Sequence, residues 1–410
     1  MVMRQLRIMY FTQPAFLDAA LCLTRALSSV AHVALVIEMG PEQLSSSAIP
    51  LPPHGFGAGI HECSDYLDAA LPAEFRKYWR SAASVHAIVY DSPHSLGMHA
   101  QAIARRAPRL ADAFGADVVH LEAVSLRLAP TMVLQRRYPV VVNIHDPCPH
   151  PGASNRKNDV ARAALVRRAD VVVLHNRAQY EYFASRHPRC RHVACIRLAP
   201  YDLLEDIQVS DGAPSDQPAA PYALFFGRVE SYKGVDVLLS AAELLADRLP
   251  GARVVVAGRD RTGRWASARR PPNVDWLVGP DRVSLQDSVA LIRSSRVVVA
   301  PYTQATQSGV VLSAYGLGVP VIATRVGGLP EYIRNGVTGL LVEPGNADEL
   351  AEAMALLISD DALQARMRRA IAEARRSWLG WEMSARRWAE VYHDALVPRR
   401  ALRCCGVGEQ

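Results

Sequence analysis

Short β-branched runs alternate with amphipathic, Ala- and Leu-rich segments along the chain, and no other feature of the sequence limits its fold so severely. Twelve runs read as strands. They are 6–11, 32–37, 85–90, 117–121, 140–145 and 170–175, then 222–226, 253–257, 273–278, 296–301, 319–324 and 339–342. Runs that are apolar on both faces belong to parallel strands covered by helices on two sides. Their alternation with helices implies βαβ units and open, doubly wound sheets. Twelve strands are too many for one such sheet, and 410 residues at about 150 per domain agree with two or three domains. The expectation is an α/β chain of two doubly wound domains, 1–207 and 222–380. Between them, 208–221 carries three prolines, acids and serines with no periodicity, the composition of a linker. Loops at 41–53 and 146–158 also read as irregular.

Composition removes several function classes. Half the residues are hydrophobic and 21% are charged, ordinary for a chain with a sizeable core, so global disorder is excluded. Runs such as 140–144 and 353–358 fall far short of the ~18 apolar residues of a bilayer span. Residues 1–5 lead directly into the first strand with no extended apolar region, so no signal peptide is read. Seven scattered cysteines form no Cys-x-x-Cys pair and no zinc-binding spacing, which fits a reducing cytoplasm. The excess of 46 basic over 40 acidic residues is mostly arginine in an Ala- and Arg-rich sequence, and nothing resembles a nucleic-acid reader.

Two stretches could carry chemistry. In the first, a buried strand ends at Gly227-Arg228, and Lys233-Gly234 opens a helix marked by Val235, Leu238 and Leu239. Ligands of open α/β sheets sit beyond the carboxyl ends of the strands. There, two cations five residues apart suit a diphosphate, Arg forking onto two oxygens and Lys supplying a point charge. The bland alternative is that both merely solvate a loop. In the second stretch, strand 296–300 runs into Thr306-Gln307-Ser308-Gly309 and a helix. Gly309 permits close backbone approach, the first helical turn attracts anions, and the three polar side chains suit sugar hydroxyls. Here the alternative is ordinary capping by Ser308. A glycine-rich run, His54-Gly-Phe-Gly-Ala-Gly59, lacks a preceding strand and is flanked by prolines, so it is not a phosphate fingerprint.

Three blocks in order resemble the nucleotide-binding half of the GT-B glycosyltransferases of retaining family 4. They are Gly227-Arg228 with Lys233-Gly234, the segment 306–320, and Val326-Gly-Gly-Leu-Pro-Glu331 followed by Asn335-Gly-Val-Thr-Gly339. The likeness covers about 120 residues, 222–344. It implies two Rossmann-like domains facing a central cleft, with a nucleotide-sugar donor on the second and the acceptor on the first. Arg228 and Lys233 match the pair that contacts the donor diphosphate, and Ser308 and Gly309 the helix start facing phosphate and sugar. Gly227, Thr306, Gln307 and Ser313 complete the implied substrate site. The family usually has two glutamates in this region; the corresponding positions here hold Ala305 and Ser313, or Thr306 and Ala314. His145, at the carboxyl end of 140–145, matches a histidine that lies near the donor sugar in many relatives, and His150 follows on the same loop. The loop Thr12-Gln-Pro-Ala15 lacks the paired glycines of many relatives.

These readings lead to a retaining transferase that moves a hexose-type sugar from a nucleotide diphosphate to a hydroxyl of a glycan or lipid-linked acceptor. The catalytic residues would be Arg228, Lys233 and His145. No cofactor is expected and no metal, because the chain has no Asp-x-Asp motif and its two cations stand where Mg²⁺ would otherwise neutralise the diphosphate. Two alternatives stay open: a non-catalytic nucleotide- or glycan-binding regulator, and a sugar-nucleotide epimerase on the same fold. Family architecture and the apolar spacing of Trp388, Val391 and Tyr392 place a helix at 381–397 back on the first domain, leaving 398–410 as a tail. Arg366, Arg368, Arg369, Arg375 and Arg376 read as a solvated helix face. For a lipid-linked acceptor, Arg136-Arg137, Arg156-Lys157, Arg162 and Arg167-Arg168 would form a basic patch for the inner face of a membrane, each charge adding ~1 kcal/mol.

Overall fold

The computed structural model describes residues 4–40, 49, 51–92, 97–122, 127, 137–147, 156–209, 221–281 and 283–397. Their contacts divide the chain into two units, residues 1–197 with 381–410, and residues 198–380. The loop with His150, most of 41–53 and 146–158, Arg136, the side chains of Arg156 and Lys157, and the tail with Cys404 and Cys405 lie outside the described residues.

The first unit is built on β1 (Leu6–Thr12), β2 (Ala31–Met39), β3 (Gly59–Glu62), β4 (Ser84–Val89), β5 (Val118–Leu121), β6 (Val140–Ile144), β7 (Val171–Leu174) and β8 (Val193–Cys195). They order as β3-β4-β2-β1-β5-β6-β7-β8, and every pair is parallel except β3 with β4. β5, β6 and β7 are buried at every residue, as strands covered on both faces must be. Met9, Phe11, Ile88, Leu121, Val142 and Phe183 belong to one core cluster of this unit. The helix Trp381–Leu396 is part of the same unit: Trp388 is 2% exposed and Tyr392 is 0%. The Tyr392 hydroxyl lies 2.9 Å from His120 Nδ1, and Trp388 lies against the same imidazole.

The second unit carries β9 (Tyr222–Arg228), β10 (Arg253–Arg259), β11 (Val274–Gly279), β12 (Val297–Ala300), β13 (Val321–Thr324) and β14 (Gly339–Val342). All six are parallel, in the order β11-β10-β9-β12-β13-β14. In each sheet the chain moves outward one way and then returns to the other side of its first strand. The resulting switch points lie between β1 and β5 and between β9 and β12, the places where ligands bind in such folds.

All twelve expected strands are present. β3 and β8 are additional: β3 is a four-residue antiparallel edge with no apolar run, and β8 has three half-buried residues within the short apolar run 193–196, which was missed. The change of unit falls after Arg197, ten residues before the expected 207. Residues 198–207 are held by the second unit: Tyr201 N donates to Leu312 O at 3.2 Å, and Arg293 donates to the Ile207 and Glu205 carbonyls at 3.0 and 2.7 Å. Both flanks of 208–221 thus belong to one unit, and this Pro-rich stretch does not join two. Of the arginines expected to form a solvated helix face, Arg366, Arg369 and Arg376 are exposed, but Arg368 and Arg375 are not free of partners. Arg375 bonds Asp202 and Glu205, and Arg368 reaches the Ser295 carbonyl at 3.1 Å.

Gly234 has φ +66°, and a Cβ there would lie 1.9 Å from the Pro301 carbonyl oxygen, so glycine is required twice over. Gly318 has a similar φ of +71° but open space around it. Gly318→Ala should therefore cost only left-handed strain, about 1 kcal/mol, and Gly234→Ala several times that. Thermal unfolding checks the order: the midpoint should fall further for Gly234→Ala, and an equal or smaller fall would contradict the packing described.

Candidate functional site

The switch point of the second unit collects most of the residues singled out from sequence. β9 delivers Gly227 and Arg228, a 3₁₀ turn of Ser231–Lys233 follows, and Gly234 starts the helix Val235–Arg248. From the other side, β12 runs into Pro301 and Tyr302. Lys233 is only 7% exposed. Its Nζ lies 3.4 Å from the Tyr302 hydroxyl and 4.9 Å from the centre of that ring, a cation held on an aromatic face. The Tyr302 hydroxyl is 3.3 Å from Ser308 Oγ, which caps the helix Gly309–Gly316 by accepting from Val311 N at 3.4 Å. A Cβ on Gly227 would touch Lys233 Nζ at 3.4 Å, so the glycine lets the ammonium lie close over the strand end. Among the described residues no carboxylate lies within 4.0 Å of this ammonium.

Arg228 is placed differently. Its side chain is 54% exposed, with Nη1 3.1 Å from Glu230 Oε1 and Nη2 donating to the Tyr232 hydroxyl at 3.3 Å. The loop is tied across the switch point by Thr303 N donating to Tyr232 O at 2.8 Å. Thr306 is buried and its carbonyl accepts from Gly328 N at 3.2 Å. Gln307 is half-buried and Gly309 exposed. The Ser313 hydroxyl donates to Gly309 O at 2.8 Å and so serves its own helix. The structure thus gathers Gly227, Lys233 and Ser308, with Arg228 alongside and the Ser313 hydroxyl spent on Gly309 O. Tyr302, which links lysine to serine, was missed; its place two residues beyond a strand end was the available signal.

The first unit has its own cluster at the β1/β5 switch point. His145 directly follows β6 and is 6% exposed. Its Nε2 lies 2.5 Å from Oε1 of Glu122, which directly follows β5 and is 1% exposed. Asn143 Nδ2 donates to the same oxygen at 3.0 Å, and the Tyr10 hydroxyl to Oε2. Phe16 stacks on the His145 ring at 4.0 Å and 12°, and His175 lies 4.6 Å away. Burial pushes the Glu122 carboxyl up, but the hydrogen bond from His145, the charges of His145 and His120 when protonated, and the Tyr10 bond bring it down to about 2. Burial lowers His120 to about 4 and, helped by repulsion from His145, His175 to about 3. Burial raises Asp18 to about 6 against the bond from Ala19 N. Glu122, His145 and His175 offer atoms within 4.8 Å of one another that could surround a cation. Both Glu122 oxygens already accept from donors, and a cation would have to displace them.

These shifts fix the sign of an acid response. Unfolded histidines protonate near pH 6.5, before His120 and His175 do in the fold, so stability falls as pH drops below about 6.5. Glu122 adds a further loss from about pH 4.5 down to about 2, whereas Asp18 opposes from about pH 6 to 3.8. The unfolding temperature should fall between pH 7 and pH 5, and His175→Gln should flatten that slope. A pH-independent midpoint over this range would refute the buried neutral histidines.

Residues 220–360 match the family model of glycosyl transferases group 1. A D-inositol 3-phosphate glycosyltransferase of Pseudarthrobacter chlorophenolicus is 35% identical over 185 residues, 44% of this chain and 44% of that protein. The chain spans about half the length of the curated relatives it matches. Sucrose-phosphate synthase of Thermosynechococcus elongatus superposes with a TM-score of 0.65 at 17% identity, covering 95% of this chain and 98% of that one. HepE of Anabaena, in complex with UDP and glucose, gives 0.63 at 20% identity, covering 95% and 100%. At these identities the likeness shows the fold, which is GT-B. Among the described residues no helix is long and apolar enough to cross a membrane.

Proposed function

With residues 220–360 matching the glycosyl transferases group 1, we propose that this protein is a glycosyltransferase that takes a sugar from a nucleotide diphosphate donor bound at the β9/β12 switch point. One observation carries the reading: Lys233 is a buried cation that meets, among the described residues, a hydroxyl and an aromatic face. A buried charge is costly unless paired, and a diphosphate supplies the missing anion. Ser308 and the N–H groups of the helix it caps point to the same ligand chemistry. The half-exposed Arg228 can exchange Glu230 for a phosphate oxygen at little cost, because exposed ion pairs are worth at most about 1 kcal/mol.

In this reading the reaction is retaining and the sugar a hexose. The diphosphate leaves on the face that the acceptor hydroxyl attacks, and positive character builds on the sugar while negative charge builds on the leaving oxygen. Arg228 and Lys233 stabilise that oxygen, an electrostatic role worth several kcal/mol in other enzymes. No divalent metal is required, since two cations already face the diphosphate. His145 orients the sugar. The acceptor is a hydroxyl of a bacterial glycan or of a lipid-linked sugar; only in the second case would Arg162, Arg167 and Arg168 bring the chain to anionic membranes, which vesicle co-sedimentation separates.

UDP-glucose is the first donor to test, and release of UDP the readout. Wild-type turnover should persist in EDTA. Lys233→Ala and Arg228→Ala should each lower kcat/KM by roughly 10²-fold, and the double variant should lose less than the product of the two. Loss of wild-type turnover in EDTA, or near-normal turnover in Lys233→Ala, would refute the mechanism. A changed sugar still on its nucleotide would identify an epimerase, and donor binding without turnover a regulator.

A further inference from the structure

At the β9/β12 switch point the polar groups form a chain whose direction follows from their chemistry. Lys233 Nζ lies 3.4 Å from the Tyr302 hydroxyl, that hydroxyl lies 3.3 Å from Ser308 Oγ, and Ser308 Oγ lies 3.4 Å from Val311 N. All four residues belong to the second unit. Tyr302 is 2% exposed, and Lys233 and Ser308 are 7% each. Each contact is longer than a usual hydrogen bond, so what the chain fixes is direction rather than strength.

An ammonium has three donors and no acceptor, so the Tyr302 oxygen accepts from Lys233. A backbone N–H can only donate, so Ser308 Oγ accepts from Val311. Between the two hydroxyls either oxygen can donate, and the two directions leave different protons over. If Ser308 donated, the Tyr302 proton would meet no acceptor among the described residues, in the more deeply buried of the two side chains. A buried donor left without a partner is costly. If Tyr302 donates, its hydroxyl is satisfied in both directions, and the proton left over belongs to Ser308.

That proton stands beside a cradle. A Cβ on Gly227 would lie 3.4 Å from both Lys233 Nζ and Val310 Cγ2. The end of β9, the ammonium and the first turn of the helix Gly309–Gly316 therefore surround one point, and Ser308 caps that helix. The two other donors of Lys233 meet no acceptor among the described residues. Donors without acceptors thus gather here.

We propose that Tyr302 is a positioning residue: by accepting from Lys233 and donating to Ser308, it makes the Ser308 hydroxyl a donor to an oxygen of the diphosphate. The proposal rests on the reading of this switch point as the diphosphate site. It adds that Ser308 gives the ligand its hydroxyl proton besides capping the helix. A phosphate oxygen, which accepts, fits that polarity.

The test is calorimetric titration of the full chain in EDTA with UDP and with inorganic pyrophosphate. Ser308→Gly removes the hydroxyl but leaves a residue tolerated at a helix N-cap, so the melting midpoint without ligand should move by no more than about 2 °C. Both ligands should nevertheless bind roughly 10-fold more weakly, the loss of a hydrogen bond to a charged acceptor. Tyr302→Phe keeps the ring beside Lys233. It should weaken binding roughly 3- to 10-fold when Ser308 is present and less than about twofold when Ser308→Gly has already removed the hydroxyl. A packing role for Tyr302 would give the same loss in both backgrounds.

Undiminished binding in Ser308→Gly, or equal losses from Tyr302→Phe with and without the Ser308 hydroxyl, would overturn the proposal and leave the diphosphate reading standing. If the coupled losses appear but UDP-glucose releases no UDP, the hydroxyl chain is supported and the transferase reading is what fails. A wild type that binds neither UDP nor pyrophosphate would overturn both.

Discussion

A parallel strand cannot return to its neighbour without a crossover, and that requirement arranges everything else in this chain. It brings the carboxyl ends of the parallel strands to one edge of each sheet, with the loops that follow them. Where successive crossovers leave in opposite directions, between β9 and β12 and between β1 and β5, the edge opens. Gly227, Arg228, Lys233, Tyr302 and Ser308 stand at the first opening; Phe16, Glu122 and His145 stand at the second. The residues that follow β9 and those that follow β12 are far apart in sequence and meet only through the sheet order, as do those that follow β1, β5 and β6. The glycines make the geometry tight: Gly234 turns under the Pro301 carbonyl where nothing larger fits.

The two openings have opposite electrostatic characters. In the second unit a buried ammonium meets a hydroxyl and a ring, with no described carboxylate within ion-pairing distance. In the first unit both oxygens of a buried carboxylate accept from donors, on both neighbouring strands and at His145. A buried carboxylate with partners on both oxygens is stable as it stands. An unmatched buried cation is stabilised by an incoming anion, so the energetic gain is reserved for the ligand. That difference supports the binding role proposed for Lys233.

Much of the fold was legible because parallel strands covered on both faces leave continuous apolar runs, and all twelve such runs became strands. β3 left no such trace, and β8 lies in the short, partly buried apolar run 193–196, which was missed. The unit boundary was misread for a physical reason. A Pro-rich composition marks 208–221 as irregular, but the partners of Asp202 and Glu205, Arg375 foremost, are more than 160 residues away in sequence. The spacing of Arg228 and Lys233 in the sequence already singled out the two cations proposed to meet a diphosphate. Glu122 was not, because its meaning comes from Tyr10, Asn143 and His145, which only the sheet order assembles. Tyr302 was visible in the right loop and lacked only a partner to give it a role.

The central claim is that Lys233 is the buried countercharge of a diphosphate, and the β-phosphate tests it most directly. Calorimetric titration of the full chain with UDP and with UMP in EDTA compares ligands that differ by that one group. The account predicts UDP to bind roughly 10- to 100-fold more tightly than UMP, the worth of one or two charge-assisted contacts, and this difference to collapse in Lys233→Ala. Equal affinity of the wild type for UDP and UMP, or an undiminished preference for UDP in Lys233→Ala, would contradict it.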